Sequence, residues 1–358
     1  MALAVPVEGP CVWLGKDMAN SERWICDLQP EHIGEIEAAL AMVENRGIDW
    51  HEITAAEFPL PGLADLVDQI RNELENGCGL MKLRGLPVRR YSEAQLRTLY
   101  FGLGGNIGTP VYQNRHGELM RFIRDEGAGV GKRYGQIEDA RMADGTPFLS
   151  SYARTLSNGA LRFHTDRTDV VALLCVEQAA SGGVSTICSS AEVMNEMLRR
   201  RPDLAHLLFE PCYRSRHGEE AELADDVYAL PIFGLREGYF TSHFSLTYIE
   251  AAQTVAGVPK LTDAQKEAID LLLAIAQELA FEMVLEPGDI QFLNSHVTYH
   301  GRTPFQDDSR AGRERLLMRL WLAMPNSRPL PQDHEVLWRN VKAGAVRGGI
   351  GQVPADRT

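Results

Sequence analysis

Apolar residues recur at helical spacing through the first hundred positions and at strand spacing after them. Between residues 30 and 46, Ile33, Ile36, Leu40 and Val43 fall on one face of a 3.6-residue repeat, which predicts an amphipathic helix that tolerates Gly34. Leu63, Leu66, Ile70 and Leu74 predict a second over residues 63–74. A third starts after Ser92, with Gln95 three residues on as a capping box, and ends in the Gly-rich stretch 102–108. Between these two helices, residues 79–87 (GLMKLRGLP) read as a short buried strand closed by a turn.

From about residue 105 the texture changes. Residues 170–176, 183–188, 228–233, 283–285, 290–293 and 316–323 are of strand length and rich in β-branched and apolar side chains. Turns such as Ser181-Gly-Gly, Arg236-Glu-Gly and Glu286-Pro-Gly-Asp separate them. Helices over 191–199 and 262–279 interrupt the series, the second opened by Thr262 and Gln265 as a capping box. Many short, spaced strands predict a sandwich or jelly roll, not a βαβ sheet. No GxGxxG follows a strand and no GxxxxGK[ST] occurs, so dinucleotide-binding and P-loop folds are set aside. The expected class is mainly β with α additions in a single domain, 1–358. It divides into a mostly helical N-terminal part (1–104), a jelly-roll core with insertions (105–325) and a C-terminal tail (326–358).

Composition narrows the partners. Lys plus Arg number 36 and Asp plus Glu 49, a formal charge of −13. Without a basic block the chain is not expected to bind nucleic acid or an anionic membrane surface. The N-terminus lacks a basic start and a sustained apolar core, and no stretch approaches the roughly 18 apolar residues of a membrane helix. The six cysteines show no CxxC or zinc spacing and are expected as thiols in a reducing cytoplasm. The acidic run at 219–226 reads as a solvated face or mobile lid. The Gly-rich tail around 344–350 could fold back over a pocket mouth, stay disordered or contact another copy in a homo-oligomer.

The candidate chemistry begins at Arg162-Phe-His164-Thr-Asp166, just before an apolar strand. In an extended segment residues i and i+2 point to one side, so His164 and Asp166 can share an ion. One more histidine completes a 2-His-1-carboxylate face with open positions, which suits non-haem Fe(II). His296 and His300 both offer themselves; HVTYH lacks the Glu of a helical zinc-protease motif. Arg315, Leu317 and Arg319 alternate on one face of a strand, either inward against an anionic ligand or outward in solvent.

Taken in order, these features resemble the Fe(II)/2-oxoglutarate dioxygenases of the taurine dioxygenase (TauD/TfdA) and clavaminate synthase-like family. The match consists of HTD at 164–166, the Gly-Gly strand 182–186, PGD at 287–289, His300-Gly-Arg302 with Phe305, and RLLMR at 315–319. The resemblance implies a double-stranded β-helix holding Fe(II) on His164, Asp166 and His300, with His296 left to a structural role. It implies that Arg315 holds the distal carboxylate of 2-oxoglutarate, helped by the Ser185 hydroxyl or by neighbouring Thr186. Arg319 would lie near the cosubstrate or bind an acidic substrate group. Arg167 and Thr168 follow the metal Asp and are candidates for facing the substrate. Arg302 either binds substrate or braces its loop; Gln113 and Asn114 either line the pocket or form a turn. His116, His217 and His243 have no ligand spacing.

The function so implied is oxidation by O2, most simply hydroxylation, of a small amino acid or other carboxylate, with release of succinate and CO2. Desaturation or epoxidation would use the same chemistry. A non-catalytic jelly-roll binding protein would have been free to lose the metal set and Arg315; a metal hydrolase or isomerase would have no need of the arginine pair.

Overall fold

The strand Val170–Glu177 is apolar on both sides because one face meets the N-terminal helices and the other meets the smaller sheet. Ile290–Asn294 pairs with it on one edge and Leu316–Ala323 on the other, both antiparallel. Leu80–Arg84 and Ile25–Asp27 extend the first side; Thr109–Pro110 and Met120–Ile123 both pair with Leu316–Ala323 on the second. A smaller antiparallel sheet runs Phe281–Met283, Ser185–Ser189, Thr298–Arg302, Leu161–His164. The structure is a computed structural model that describes residues 5–134, 136–141, 147–216 and 227–351. The acidic run at 219–226 and His217 lie outside the described residues.

Strand alternation sorts the side chains. On Leu316–Ala323, Met318, Leu320 and Leu322 pack with Ile36, Ile70, Leu99 and Tyr100 of the helices Pro30–Arg46, Ala64–Asn76 and Glu93–Ile107. Leu317, Trp321 and Ala323 face the other way, into a core shared with Ile187 and Phe281 of the smaller sheet. Arg319 belongs to this inner face. The helices Ser190–Arg200 and Asp263–Leu279 cover the outer side of the smaller sheet through Cys188, Val297 and Tyr299. Two layers of strands, each backed by helices, thus enclose one inner space.

The capping boxes at Ser92 and Thr262 form as expected. The expected single strand at 228–233 is two strands. Val227–Leu230 pairs with Cys212–Ser215, and Phe233–Arg236 pairs with Tyr239–Ser242. Pro231 stands between them and has no N–H for a ladder. No helix among the described residues is long and apolar enough to cross a membrane.

The tail is built into the fold. Gly349 N donates to the Arg167 carbonyl and Ile350 N to that of Tyr112, both at 2.7 Å. Arg347, fully buried, places Nε 2.8 Å from Asp169 Oδ1. The same oxygen lies 2.8 Å from His296 Nε2, while Met324 N donates to Oδ2 at 3.0 Å. Arg347 also donates to the Arg328 carbonyl, and Arg328 pairs with Glu75. A segment that could have been a loose end is a strap over the turn 165–169.

Two stability outcomes follow. Gly288 has φ +98°, and an added Cβ would overlap the Leu86 carbonyl oxygen. Gly288→Ala should therefore cost about 2–3 kcal/mol in urea unfolding, whereas Gly257→Ala, with positive φ but open space, should cost about 1 kcal/mol. Arg347→Met leaves the buried Asp169 short of its cation and should cost about 3 kcal/mol or more by the same measurement.

Candidate metal centre

Leu161–His164 and Thr298–Arg302 pair with His164 directly opposite His300. Cross-strand partners share a face, and the two imidazole centroids lie 4.3 Å apart. Asp166, just past the end of its strand, completes the group. His164 Nε2 is 4.0 Å from Asp166 Oδ1 and His300 Nε2 is 3.8 Å from Oδ2. One ligand atom from each residue falls within 4.8 Å of the other two, a spacing able to hold a metal ion. His164 Nδ1 lies 2.9 Å from the Arg162 carbonyl. Donation there leaves the Nε2 lone pair for a cation.

The electrostatics fit such an ion. Burial and neighbouring His164 push the His300 imidazole down to about 3, so its lone pair is available. Burial alone would raise the Asp166 carboxyl, but Arg319 and the two histidines outweigh it and hold the carboxyl below its ordinary value. Among the described residues Asp166 Oδ2 is buried without a hydrogen-bond partner, and a cation placed beside it would satisfy it.

Around this group stand buried arginines. Arg319 donates from Nε to Gln113 Oε1 at 2.7 Å and places Nη1 3.7 Å from Asp166 Oδ1. Gln113 in turn donates to the Arg319 and Leu119 carbonyls, so it clamps the strand and the guanidinium together. Arg315 is buried with Nη1 unpartnered and its guanidinium 5.2 Å from the Phe305 ring centre. Burial pulls it down to about 10. Its side chain passes Gly183, where a Cβ would come within 3.0 Å of it. Arg302 donates from Nη2 to the Ser157 and Gly159 carbonyls at 2.6 and 2.5 Å, bracing that loop, and keeps Nε and Nη1 unpartnered.

Other expected residues lie elsewhere. Ser185 pairs with Arg302 and Ile187 with His300, so the Ser185 side chain is on the inner face. Thr186 falls on the opposite face, its hydroxyl over Gly301, because neighbours in a strand alternate. Thr168 gives its hydroxyl to the Leu322 carbonyl of the neighbouring strand at 2.9 Å, and Arg167 donates to that of Leu337 in the tail at 2.7 Å. Asn114 accepts from His116 N and Glu118 N, forming a turn. His296 sits between Asp169 and Thr241, outside the metal group.

Arg121 escaped the sequence reading. It lies on Met120–Ile123 directly opposite Arg319. An arginine alternating with apolar residues beside a Gly-containing turn was the available signal, but four residues are too few to stand out as a strand.

Residues 46–321 match the model of the family described as taurine catabolism dioxygenase TauD, TfdA family. The chain is 29% identical over 347 residues to FR-33289 synthase of Streptomyces rubellomurinus, covering 96% of this chain and 98% of the relative. It is 25% identical over 344 residues to the taurine hydroxylase-like protein SAT17 of Stachybotrys chartarum, covering 94% and 82%. Among solved structures, asparagine oxygenase with Fe(II), (2S,3S)-3-hydroxyasparagine and succinate aligns with TM-score 0.59 at 17% identity, over 90% of this chain and 100% of that one. The non-heme iron oxygenase OrfP with Fe and alpha-ketoglutaric acid aligns with TM-score 0.58 at 16% identity, over 84% and 94%. With a jelly roll carrying a His-Asp-His group on its inner face and a family match running from residue 46 to 321, past Arg315 and Arg319, this chain belongs to the TauD/TfdA family and is an Fe(II)- and 2-oxoglutarate-dependent dioxygenase.

Proposed function

We propose that His164, Asp166 and His300 hold the Fe(II), that Arg315 and Ser185 hold 2-oxoglutarate, and that the enzyme hydroxylates a small acid, an amino acid or other carboxylate. The observation that carries the reading is the buried Asp166 Oδ2, without a hydrogen-bond partner among the described residues, beside the imidazoles of His164 and His300. A buried carboxylate oxygen with no donor is costly unless a cation completes it.

When bound, the iron supplies O2 activation coupled to decarboxylation of 2-oxoglutarate to succinate and CO2. The chain's own residues do the rest. Arg162 fixes the His164 ring through its carbonyl. Arg315, buried without a carboxylate partner among the described residues, offers a bidentate fork to the remote carboxylate of the cosubstrate. Ser185, on the same inner face, offers a hydroxyl. Gln113 holds Arg319 beside the metal carboxylate, where it can meet an acidic group. Leu317 and Trp321 are buried on the same inner face, and the Arg319 guanidinium lies 4.9 Å from the Trp321 ring centre. Asparagine oxygenase and OrfP have been solved with hydroxylated amino acids, and SAT17 is described as taurine hydroxylase-like, which supports hydroxylation over desaturation or epoxidation.

The test is spectroscopic. Anaerobic protein loaded with Fe(II) and 2-oxoglutarate should show a weak visible charge-transfer band; metal bound without that band would overturn the cosubstrate assignment. His164→Ala should weaken Co(II) or Fe(II) binding by roughly a hundredfold or more in metal titrations, since it removes a ligand outright. Arg315→Met should raise the Kd for 2-oxoglutarate by about 30- to 100-fold, the value of a charge-assisted pair, while metal affinity stays the same.

A further inference from the structure

Sheet pairing places two of the three candidate ligands and leaves the third to other contacts. His164 and His300 are a ladder pair, but Asp166 lies two residues past that pair, in the turn 165–169. The backbone on either side of Asp166 is held instead. Thr165 N donates to the Phe244 carbonyl at 2.8 Å, and Phe244 N donates to the Thr165 hydroxyl at 3.0 Å. On the other side Gly349 N donates to the Arg167 carbonyl at 2.7 Å. Gly348, at φ +76°, packs so closely that a Cβ would stand 2.9 Å from the same oxygen and 3.1 Å from Thr168 Cα.

Arg347 joins this turn to the segment that leads into the second histidine. Asp169 Oδ1 meets Arg347 Nε and His296 Nε2, each at 2.8 Å, and Ser295 N donates to the Asp169 carbonyl at 2.9 Å. Ser295 and His296 run directly into Thr298–Arg302, which bears His300. The other two nitrogens of Arg347 are also occupied, Nη1 by the Lys342 carbonyl at 3.2 Å and Nη2 by that of Arg328 at 2.8 Å. Its guanidinium lies 5.7 Å from the Trp338 ring centre, and that ring lies 4.9 Å from the His296 imidazole. With every nitrogen engaged inside the protein, this arginine is built to hold two segments at a fixed separation.

Resting on the ligand assignment above, we propose that Arg347 is a positioning residue for the metal centre. Through Asp169 and His296 the C-terminal strap sets the distance between the Asp166 turn and the His300 strand, and with it the affinity for the metal. Ligand distances must fall within a few tenths of an ångström, so a turn free to drift binds more weakly. Loss of an outer partner of this kind costs about 10- to 100-fold in metal affinity.

The experiment is anaerobic titration of the metal-free protein with Co(II), read by calorimetry and by the visible absorption of the ion. Arg347→Met should raise the Kd by about tenfold or more, and Arg347→Lys should recover part of the loss. Gly348→Ala should weaken binding likewise, because its Cβ pushes on the turn. Gly351→Ala, also at positive φ but in open space, should leave the affinity unchanged. Both alanines carry the conformational cost of that backbone, so the difference between them reports the contact. Coupling is reciprocal. In the wild type, saturating Co(II) should therefore slow hydrogen exchange at the Gly349 and Ile350 amides by about tenfold more than in the helix Asp263–Leu279.

Unaltered Co(II) affinity in folded Arg347→Met would overturn the proposal, as would equal affinity in Gly348→Ala and Gly351→Ala. So would exchange at the tail amides that Co(II) slows no more than in that helix, a measurement that stands even if every variant fails to fold. Full affinity in His164→Ala would strike the ligand assignment itself. A loss there beside unaltered affinity in Gly348→Ala would strike this proposal alone.

Discussion

Everything at the centre depends on one strand register. His164 and His300 are far apart in the chain, yet the pairing of Leu161–His164 with Thr298–Arg302 sets them side by side. Because side chains alternate with period two, a slip of one residue would turn His300 toward the outer helices and bring Gly301 inward. The neighbouring pair, Ser185–Ser189 with Thr298–Arg302, carries the same register onward and places Ser185 rather than Thr186 on the inner face. The outer side of that sheet, through Cys188, Val297 and Tyr299, is buried against helices. The hydrophobic layer outside therefore locks the polar layer inside.

The chain's net charge of −13 describes its surface and misleads about its interior. Inside, the balance reverses. Arg319, Arg315, Arg302 and Arg121 are buried, and each is desolvated at a cost that carbonyls, ring faces, Gln113 and nearby carboxylates only partly offset. Proteins seldom retain several incompletely paired guanidinium groups unless anions complete them. The 2-oxoglutarate that this dioxygenase uses is one such anion.

Much of this was legible in the sequence. The apolar period marked the three N-terminal helices and the long strands, since each buries one face or both. Extended spacing put His164 with Asp166, and Arg315 with Arg319, on one side each, while the choice of His300 over His296 and the inward arginines came from the resemblance to the TauD/TfdA family. What escaped was short or set by partners. Met120–Ile123 is four residues long, and Cys212–Ser215 and Tyr239–Ser242 exist because of the strands beside them. The faces of Ser185 and Thr186 depend on a register no local pattern encodes. Thr168 and Asn114 stood next to the right motifs, but their polar groups are used by carbonyls and turns.

The strap from residues 344 to 350 ties the turn 165–169 to chain made much later. Asp169 is neutralised by Arg347, and the Arg167 carbonyl is met by Gly349 N, roughly 180 residues downstream. During synthesis the turn bearing Asp166 would emerge with a buried-type carboxylate that has no cation yet. The contacts that neutralise Asp169 and meet the Arg167 carbonyl can form only once residues 347–349 have been made. A fusion joined immediately after residue 350 would pull on the same turn that carries Asp166.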